Sequence, residues 1–303
     1  MKHLIFGLAL LATGAAAAEP DVSPLQGAEV VLLGEVHDNP GHHQMQVAAV
    51  AALKPRALVF EMLTAEQAAR VGEERGDAEA MARELGWAAS GWPDFSMYHP
   101  IFTAAPETQV YGAALPREAA RAALREGVAA SFGENAELYG LTFKLPEDVQ
   151  KAREAEQAAA HCDALPAELL PGMVDLQRLR DAMLARAAIE ALDATGGPVV
   201  VITGNGHARR DGGVPEVLTR VRNALKVVSV GQAEGDRIEG EYDLVWPGPL
   251  VKRRDPARRC ARADAAFAGA GAKFGVARRR KPLWSMRCDR TGLCTCSLTS
   301  AFF

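Results

Sequence analysis

Short apolar runs that alternate with alanine-rich stretches constrain the fold of this 303-residue chain more than any other feature of its sequence. Uninterrupted apolar runs are typical of strands that are buried on both faces of a parallel sheet. The alternation therefore predicts an α/β fold, with a mostly parallel central sheet flanked by helices. The predicted strands cover residues 30–33, 58–60, 110–113, 199–202, 227–230 and 242–246. The predicted helices cover residues 42–53, 64–85, 116–130, 147–160, 175–194 and 214–224.

The predicted strands are unevenly spaced, and the longest gaps between them consist of helix-forming residues. About 85 residues separate the third predicted strand from the fourth. A compact α/β unit usually needs far fewer residues between successive strands. We therefore expect helical insertions at about residues 64–105 and 116–195, forming a helical lid or a small subdomain. The α/β domain as a whole is expected to cover residues 19–251.

The first 18 residues have the pattern of a secretory signal peptide. Lys2 and His3 precede an apolar run that ends in three alanines. A basic start, a short apolar run and small residues at the exit are typical of such a peptide. We expect cleavage after Ala18 and a periplasmic mature protein, without a lipid anchor because no cysteine lies near this junction. No other apolar run reaches the roughly 20 residues that a membrane span requires.

Charge is distributed unevenly along the chain. The overall net charge is −4 and aromatic residues make up 6% of the sequence, so a nucleic-acid partner is not expected. Residues 252–303, in contrast, hold 13 Lys and Arg residues against 3 Asp and Glu residues, and four of the five cysteines. We expect this basic, cysteine-rich tail to be a disordered extension. Contact with anionic lipid, a disulfide knot and a shifted reading frame remain open as alternatives.

Polar side chains follow three of the predicted strands at the point where each strand ends. Glu35 and His37 follow the first strand, Glu61 follows the second, and His207 follows the fourth within Thr203-Gly204-Asn205-Gly206-His207. Because ligands bind outside the carboxyl ends of the strands in open α/β sheets, we expect these four side chains to share one site. The alternative is that they only form hydrogen bonds and pack.

Two imidazoles and two carboxylates are a plausible first coordination shell for a divalent metal ion. We therefore predict Glu35, His37, Glu61 and His207 as metal ligands. In a hydrolase, Glu35 and Glu61 would also be the acid/base residues that activate a metal-bound water. The chain contains no Gly-x-Ser-x-Gly, Walker or Rossmann motif, so it gives no indication of a serine hydrolase or a nucleotide-binding protein.

Two further segments carry candidate cofactor ligands. His42 and His43 follow a predicted helix start, and His43 lies six residues from His37. Residues 86–102 are rich in aromatic side chains and contain Tyr98 and His99. This segment is either a loop packed on the core or an apolar wall against a flat ligand such as haem, whose iron accepts His, Tyr or Met. No Cys-x-x-Cys-His motif occurs, so any haem would be held noncovalently.

Several of these segments, taken together and in order, resemble the ChaN family of haem-binding proteins. The resemblance runs from about residue 25 to 250. It is carried by Leu33-Gly34-Glu35-Val36-His37-Asp38-Asn39-Pro40, Phe60-Glu61-Met62, Trp92-Pro93-Asp94-Phe95, Gln177-Arg178-Leu179-Arg180-Asp181 and Gly204-Asn205-Gly206-His207-Ala208-Arg209. The ChaN family belongs to a wider group that includes the Tiki metalloproteases and erythromycin esterase-like enzymes.

The resemblance implies an α/β sheet with a helical portion and a cell-envelope protein associated with haem or iron acquisition. Many ChaN-like proteins are lipoproteins, and this chain lacks the lipid-bearing cysteine. The wider group uses the positions of Glu35, His37, Glu61 and His207 for metal-dependent or acid/base hydrolysis. We therefore expect an exported haem-binding protein, with a homodimer left open. A metal-dependent hydrolase that uses the same four residues is the alternative.

Overall fold

The computed structural model describes residues 20–72 and 75–251, together with the backbone of residues 287–288 and 294–295. The predicted signal peptide, residues 1–18, lies outside the described residues. Most of the predicted tail, residues 252–303, also lies outside them. Its two described segments, Arg287–Cys288 and Cys294–Thr295, pair as short antiparallel strands.

The centre of the molecule is a parallel sheet of six strands. Its spatial order is β3-β2-β4-β1-β5-β6, and every described pair of neighbouring strands is parallel. The predicted α/β fold with a mostly parallel sheet is therefore confirmed. The strands are β1 (Val30–Glu35), β2 (Ala57–Phe60), β3 (Gln109–Gly112), β4 (Val199–Gly204), β5 (Val227–Glu234) and β6 (Leu244–Gly248).

Ten α-helices accompany the sheet in the described part of the chain. They are α1 (Pro40–Leu53), α2 (Ala65–Ala69), α3 (Ala78–Glu84), α4 (Phe95–Ala104), α5 (Arg117–Glu126), α6 (Val128–Phe132), α7 (Glu147–Ala160), α8 (Leu170–Thr195), α9 (Asn205–Ala208) and α10 (Val214–Val221). None of the described helices is both long and apolar enough to cross a membrane.

The helices form two layers, one on each face of the sheet. One face packs against α1 and α4, with Val31, Phe60 and Phe102 among its buried side chains. The other face packs against α8 and α10, with Leu32 and Leu179 in its core. The strands are apolar without alternation because side chains on both of their faces are buried. Helices α4 and α8, which lie within the predicted insertions, thus contribute to these layers.

The ends of the helices follow local sequence signals. The Asn39 side chain accepts a hydrogen bond from the Gly41 N–H (3.0 Å) at the start of α1, and Pro40 occupies the first turn. Helix α8 ends at Gly196, which has the left-handed conformation (φ 77°) that is common after the last residue of a helix. The predicted helix 116–130 is instead two helices, because Gly127 has a φ of 93° between α5 and α6.

A testable consequence concerns Gly112 at the end of β3. A Cβ atom there would lie 2.3 Å from the Thr64 carbonyl oxygen and 2.5 Å from that of Leu63. Because backbone atoms cannot yield as a flexible side chain does, we expect Gly112→Ala to lower the free energy of unfolding by about 1–3 kcal/mol in urea denaturation. Gly76→Ala is the matched control, since a Cβ atom there meets nothing within 4 Å. Equal stability of the two variants would contradict this packing.

Candidate functional site

The carboxyl ends of β1, β2 and β4 bring the four predicted polar residues together. Strand β4 lies between β1 and β2, so Glu35 and His37 approach from one side of its end and Glu61 from the other. Gly204 makes this approach possible, because a Cβ atom there would lie 2.9 Å from His37 Nε2 and 3.7 Å from Glu61 Oε2. The sheet edge therefore carries one compact cluster of carboxylates and imidazoles.

Glu35 is the innermost member of the cluster, with its side chain fully buried. Its Oε1 accepts hydrogen bonds from His37 Nδ1–H (2.7 Å) and from the Tyr98 hydroxyl (2.8 Å). Its Oε2 lies 3.4 Å from His43 Nδ1. A buried carboxylate is retained only when such donors replace water. Glu35 thus holds the His37 ring from behind and leaves the Nε2 atom of that ring directed away from it.

Glu61 occupies the middle of the site. Its Oε2 accepts hydrogen bonds from the Thr203 hydroxyl (2.7 Å) and the Gly204 N–H (2.8 Å). Its Oε1 lies 3.5 Å from His207 Nε2 and 3.9 Å from His37 Nε2. Burial would raise the pKa of this carboxyl, but the two histidines and the two hydrogen bonds outweigh it and lower the pKa to about 2. Glu61 is therefore ionised at any physiological pH.

His207 is held by helix α8. Its Nδ1–H donates to Asp181 Oδ1 (2.6 Å), and the Gln177 amide nitrogen lies 3.4 Å and 3.3 Å from its two ring nitrogens. Burial lowers the pKa of His207, but Glu61 and Asp181 more than compensate and raise it. Sequence reasoning did not assign Asp181 or Gln177 to the site. Their signal was the i, i+4 spacing of two polar residues on a helix face that is otherwise apolar.

His37 is the most accessible of the four predicted residues. Its side chain retains 32% of its exposure, against 7% for His207, 10% for Glu61 and none for Glu35. Its ring also contacts the half-buried Trp92, with the ring centroids 4.8 Å apart. Burial lowers the pKa of His37, but the charges of Glu61 and Glu35 raise it to about 9. The open edge of the site therefore presents an imidazolium beside an indole.

Comparison with known proteins identifies the family. The family described as "Haem-binding uptake, Tiki superfamily, ChaN" matches residues 22–218. This chain belongs to that family. The ChaN protein of Campylobacter jejuni, solved with cofacial haem, is 20% identical, with a TM-score of 0.57. The alignment covers 74% of this chain and 89% of that one, so the two share the fold.

Two other solved structures resemble this ChaN family member more weakly. A succinoglycan biosynthesis protein is 14% identical, with a TM-score of 0.38, over 71% of this chain and 69% of its own. The type III effector HopBA1 is 13% identical, with a TM-score of 0.38, over 73% of this chain and 88% of its own. No curated protein matches the sequence.

Two of the residues predicted to contact haem are buried beneath the site. Tyr98 has no exposed surface, and its hydroxyl donates to Glu35. Burial and the charge of Glu35 raise its pKa well above the usual range, which opposes the tyrosinate form that iron would require. His43 is 2% exposed and its Nε2–H donates to the His37 carbonyl oxygen (2.9 Å). Both side chains are therefore engaged inside the protein, and a role for Tyr98 and His43 in binding the cofactor stays a prediction.

The other two predicted cofactor ligands are also held by the protein itself. His42 is fully buried, accepts the Val36 N–H at Nδ1 (2.9 Å) and donates from Nε2 to the Ala233 carbonyl oxygen (3.1 Å). His99 is half-buried and donates from Nε2 to the Arg75 carbonyl oxygen (2.6 Å). His42 thus links helix α1 to strand β5 and to Val36, and His99 links helix α4 to the loop that contains Arg75. A role for His42 and His99 as cofactor ligands stays a prediction.

The geometry also bears on the predicted metal site. Glu35 faces Nδ1 of His37 and Glu61 faces Nε2, so a single ion cannot contact both carboxylates and the ring between them. Within residues 20–72 and 75–251, no group of three or more His, Cys, Asp or Glu side chains is arranged to hold a metal ion. Coordination by all four of Glu35, His37, Glu61 and His207 is therefore not seen.

The family is described as haem-binding, and the surroundings of His37 are compatible with that ligand. An axial histidine commonly donates its second ring nitrogen to a carboxylate, and His37 does so to Glu35. Nε2 of the same ring lies at the accessible side of the site, and Trp92 adds a flat apolar surface beside it. A ligand nitrogen, its orienting carboxylate and an aromatic neighbour are thus present together.

The pKa of His37 provides a direct test of this site. We expect the ring proton signals of His37 to titrate by NMR with a midpoint near pH 9. In Glu61→Gln the midpoint should fall, because the charge of Glu61 stabilises the imidazolium. Glu66→Gln is the control, since that carboxylate is 85% exposed on α2 and should leave the midpoint unchanged. A midpoint near 6.5 in the unaltered protein would contradict the geometry.

Proposed function

We propose that this chain is an exported haem-binding protein that takes part in haem or iron uptake. The observation that carries the proposal is His37, an accessible imidazole that is oriented by the buried carboxylate of Glu35. Membership of a haem-binding family supplies the ligand class. The same membership does not favour a metal-dependent hydrolase built on Glu35, His37, Glu61 and His207.

In this proposal His37 Nε2 is the atom that holds the haem iron, and Trp92 offers apolar surface to the porphyrin. When bound, the haem would supply an iron that accepts a nitrogen ligand. It would also supply a large apolar porphyrin plane, which the protein has to cover. His37 carries a proton below a pKa of about 9, so binding at neutral pH displaces that proton. Glu35 remains hydrogen-bonded at Nδ1 and keeps the ring oriented during this change.

The proposal includes a homodimer because the site offers one surface to a ligand that has two faces. His37 and Trp92 lie at one edge of the sheet and would cover one face of a haem, leaving the other face in water. A second copy of the chain would cover that face. Cofacial haem binding by the ChaN protein of Campylobacter jejuni supports this arrangement. We therefore extend the proposal to haem held between two subunits.

Export is proposed from the sequence of the amino terminus. The basic start, the apolar run and the Ala16-Ala17-Ala18 exit meet the requirements of a signal peptide. A periplasmic location would place the protein where haem is first received from outside the cell.

Haem binding is tested by titrating haemin into the mature protein and following the Soret absorbance. We expect saturable binding, and an affinity at least about tenfold lower for His37→Ala, because the iron ligand is lost. His99→Ala is the control, since its Nε2 is engaged by the Arg75 carbonyl oxygen and should leave the affinity unchanged. An unaltered titration of His37→Ala would show that the haem lies elsewhere.

Export is tested by expressing the full chain in a Gram-negative host. We expect a periplasmic protein whose first residue is Glu19. Small residues are required three positions and one position before the cleaved bond, so Ala18→Arg should block processing. Ala17→Arg, at the intervening position, should leave processing intact. Recovery of the unaltered chain in the cytoplasm with Met1 retained would contradict export.

A further inference from the structure

One face of helix α8 covers the His207 side of the site. Gln177 and Asp181 are four residues apart and both contact the His207 ring. Arg180 is three residues from Gln177 and adjacent to Asp181, so it lies at the border of the same face. It is half-buried, and it lies close enough for its charge to oppose protonation of His207.

Arg180 has no hydrogen bond or ion pair with any residue in the described part of the chain. Two other arginines of α8 differ in this respect. Arg178 donates to Asp175 and to the carbonyl oxygens of Gly140 and Phe143. Arg186 donates to the Phe132 carbonyl oxygen and lies over the Phe132 ring. Burial removes part of the hydration of a guanidinium, so a hydrogen-bonding or acidic partner would stabilise it. Arg180 lacks such a partner among the described residues.

A second guanidinium adds positive charge to this side of the site. Arg153 of α7 acts on the buried Asp181, where it favours the ionised form. It is 20% exposed, and its nearest acidic partner, Glu216, is 4.0 Å away. Two incompletely neutralised arginines at the border of a site attract an anion rather than a cation. Arginine also presents a fork of N–H donors that matches a carboxylate.

We propose that Arg180 binds a carboxylate group of the ligand, beside His207 and opposite the aromatic side of the site. The inference rests on the proposed function, in which case the carboxylate is a propionate of haem. The porphyrin would then be held at two separate points. His37 supplies the iron contact, and Arg180 supplies the contact to the charged edge. Arg180 is thus a specificity-determining residue for carboxylate-bearing porphyrins.

The test compares two probes that differ only in the proposed contact, namely haemin and its dimethyl ester. The full mature protein is titrated with each probe, and folding of each variant is checked by circular dichroism. We expect Arg180→Ala to weaken haemin binding about tenfold or more, the value of a charge-assisted hydrogen bond, and to leave ester binding unchanged. Arg180→Lys keeps the charge but loses the fork of N–H donors, so its affinity for haemin should lie between those of the unaltered protein and Arg180→Ala.

Arg83→Ala is the matched control, because that arginine is 71% exposed on α3 and should leave both titrations unchanged. Unchanged haemin binding by Arg180→Ala would overturn the role of Arg180 and leave the proposed function standing. An equal loss of affinity for both probes would also overturn the role of Arg180, because the effect would not depend on the carboxylate. If the unaltered protein bound neither probe, haem binding would fail and the inference would fail with it.

Discussion

The buried carboxylate of Glu35 is the group on which the rest of the site depends. It lies at the end of β1 without exposed surface and must find its hydrogen-bond donors inside the protein. Tyr98 of α4 and His37 donate hydrogen bonds to its Oε1 atom. Nδ1 of His43, on α1, lies 3.4 Å from its Oε2 atom. The burial of this carboxylate therefore ties helix α4 to the sheet through the Tyr98 hydroxyl. It also fixes which nitrogen of His37 faces the open edge of the site.

Glu61 performs the matching role for the other half of the site. Thr203 and Gly204 of β4 hold one of its oxygens, so the second oxygen is fixed between the two imidazoles. The charge of Glu61 raises the pKa of both imidazoles, and the charges of His207 and His37 lower the pKa of Glu61. The cluster is therefore internally paired before any ligand binds. A ligand that enters the cluster therefore has to replace a proton of an imidazolium or contact the side chains at the border of the site.

The sequence was sufficient to predict which residues meet, because parallel strands end at one edge and the residues after them share that edge. The same reasoning could not separate a side chain that lines the site from one buried beneath it. Tyr98 and His43 are close to the predicted location but point into the core, since helix packing and not chain position decides their exposure. Asp181 was missed because it lies within helix α8, whereas the prediction considered only residues that follow the strands.

The two sides of the site differ in exposure and in the side chains that border them. The side of His37 and Trp92 is accessible and aromatic, which suits a porphyrin plane and its iron. The side of His207 is buried and bordered by Arg153 and Arg180, which suits anionic groups. A small neutral substrate would use neither the indole nor the free guanidinium. In the proposed function, a flat, amphipathic ligand with carboxylates at one edge would use both, and the sheet edge between them would position it.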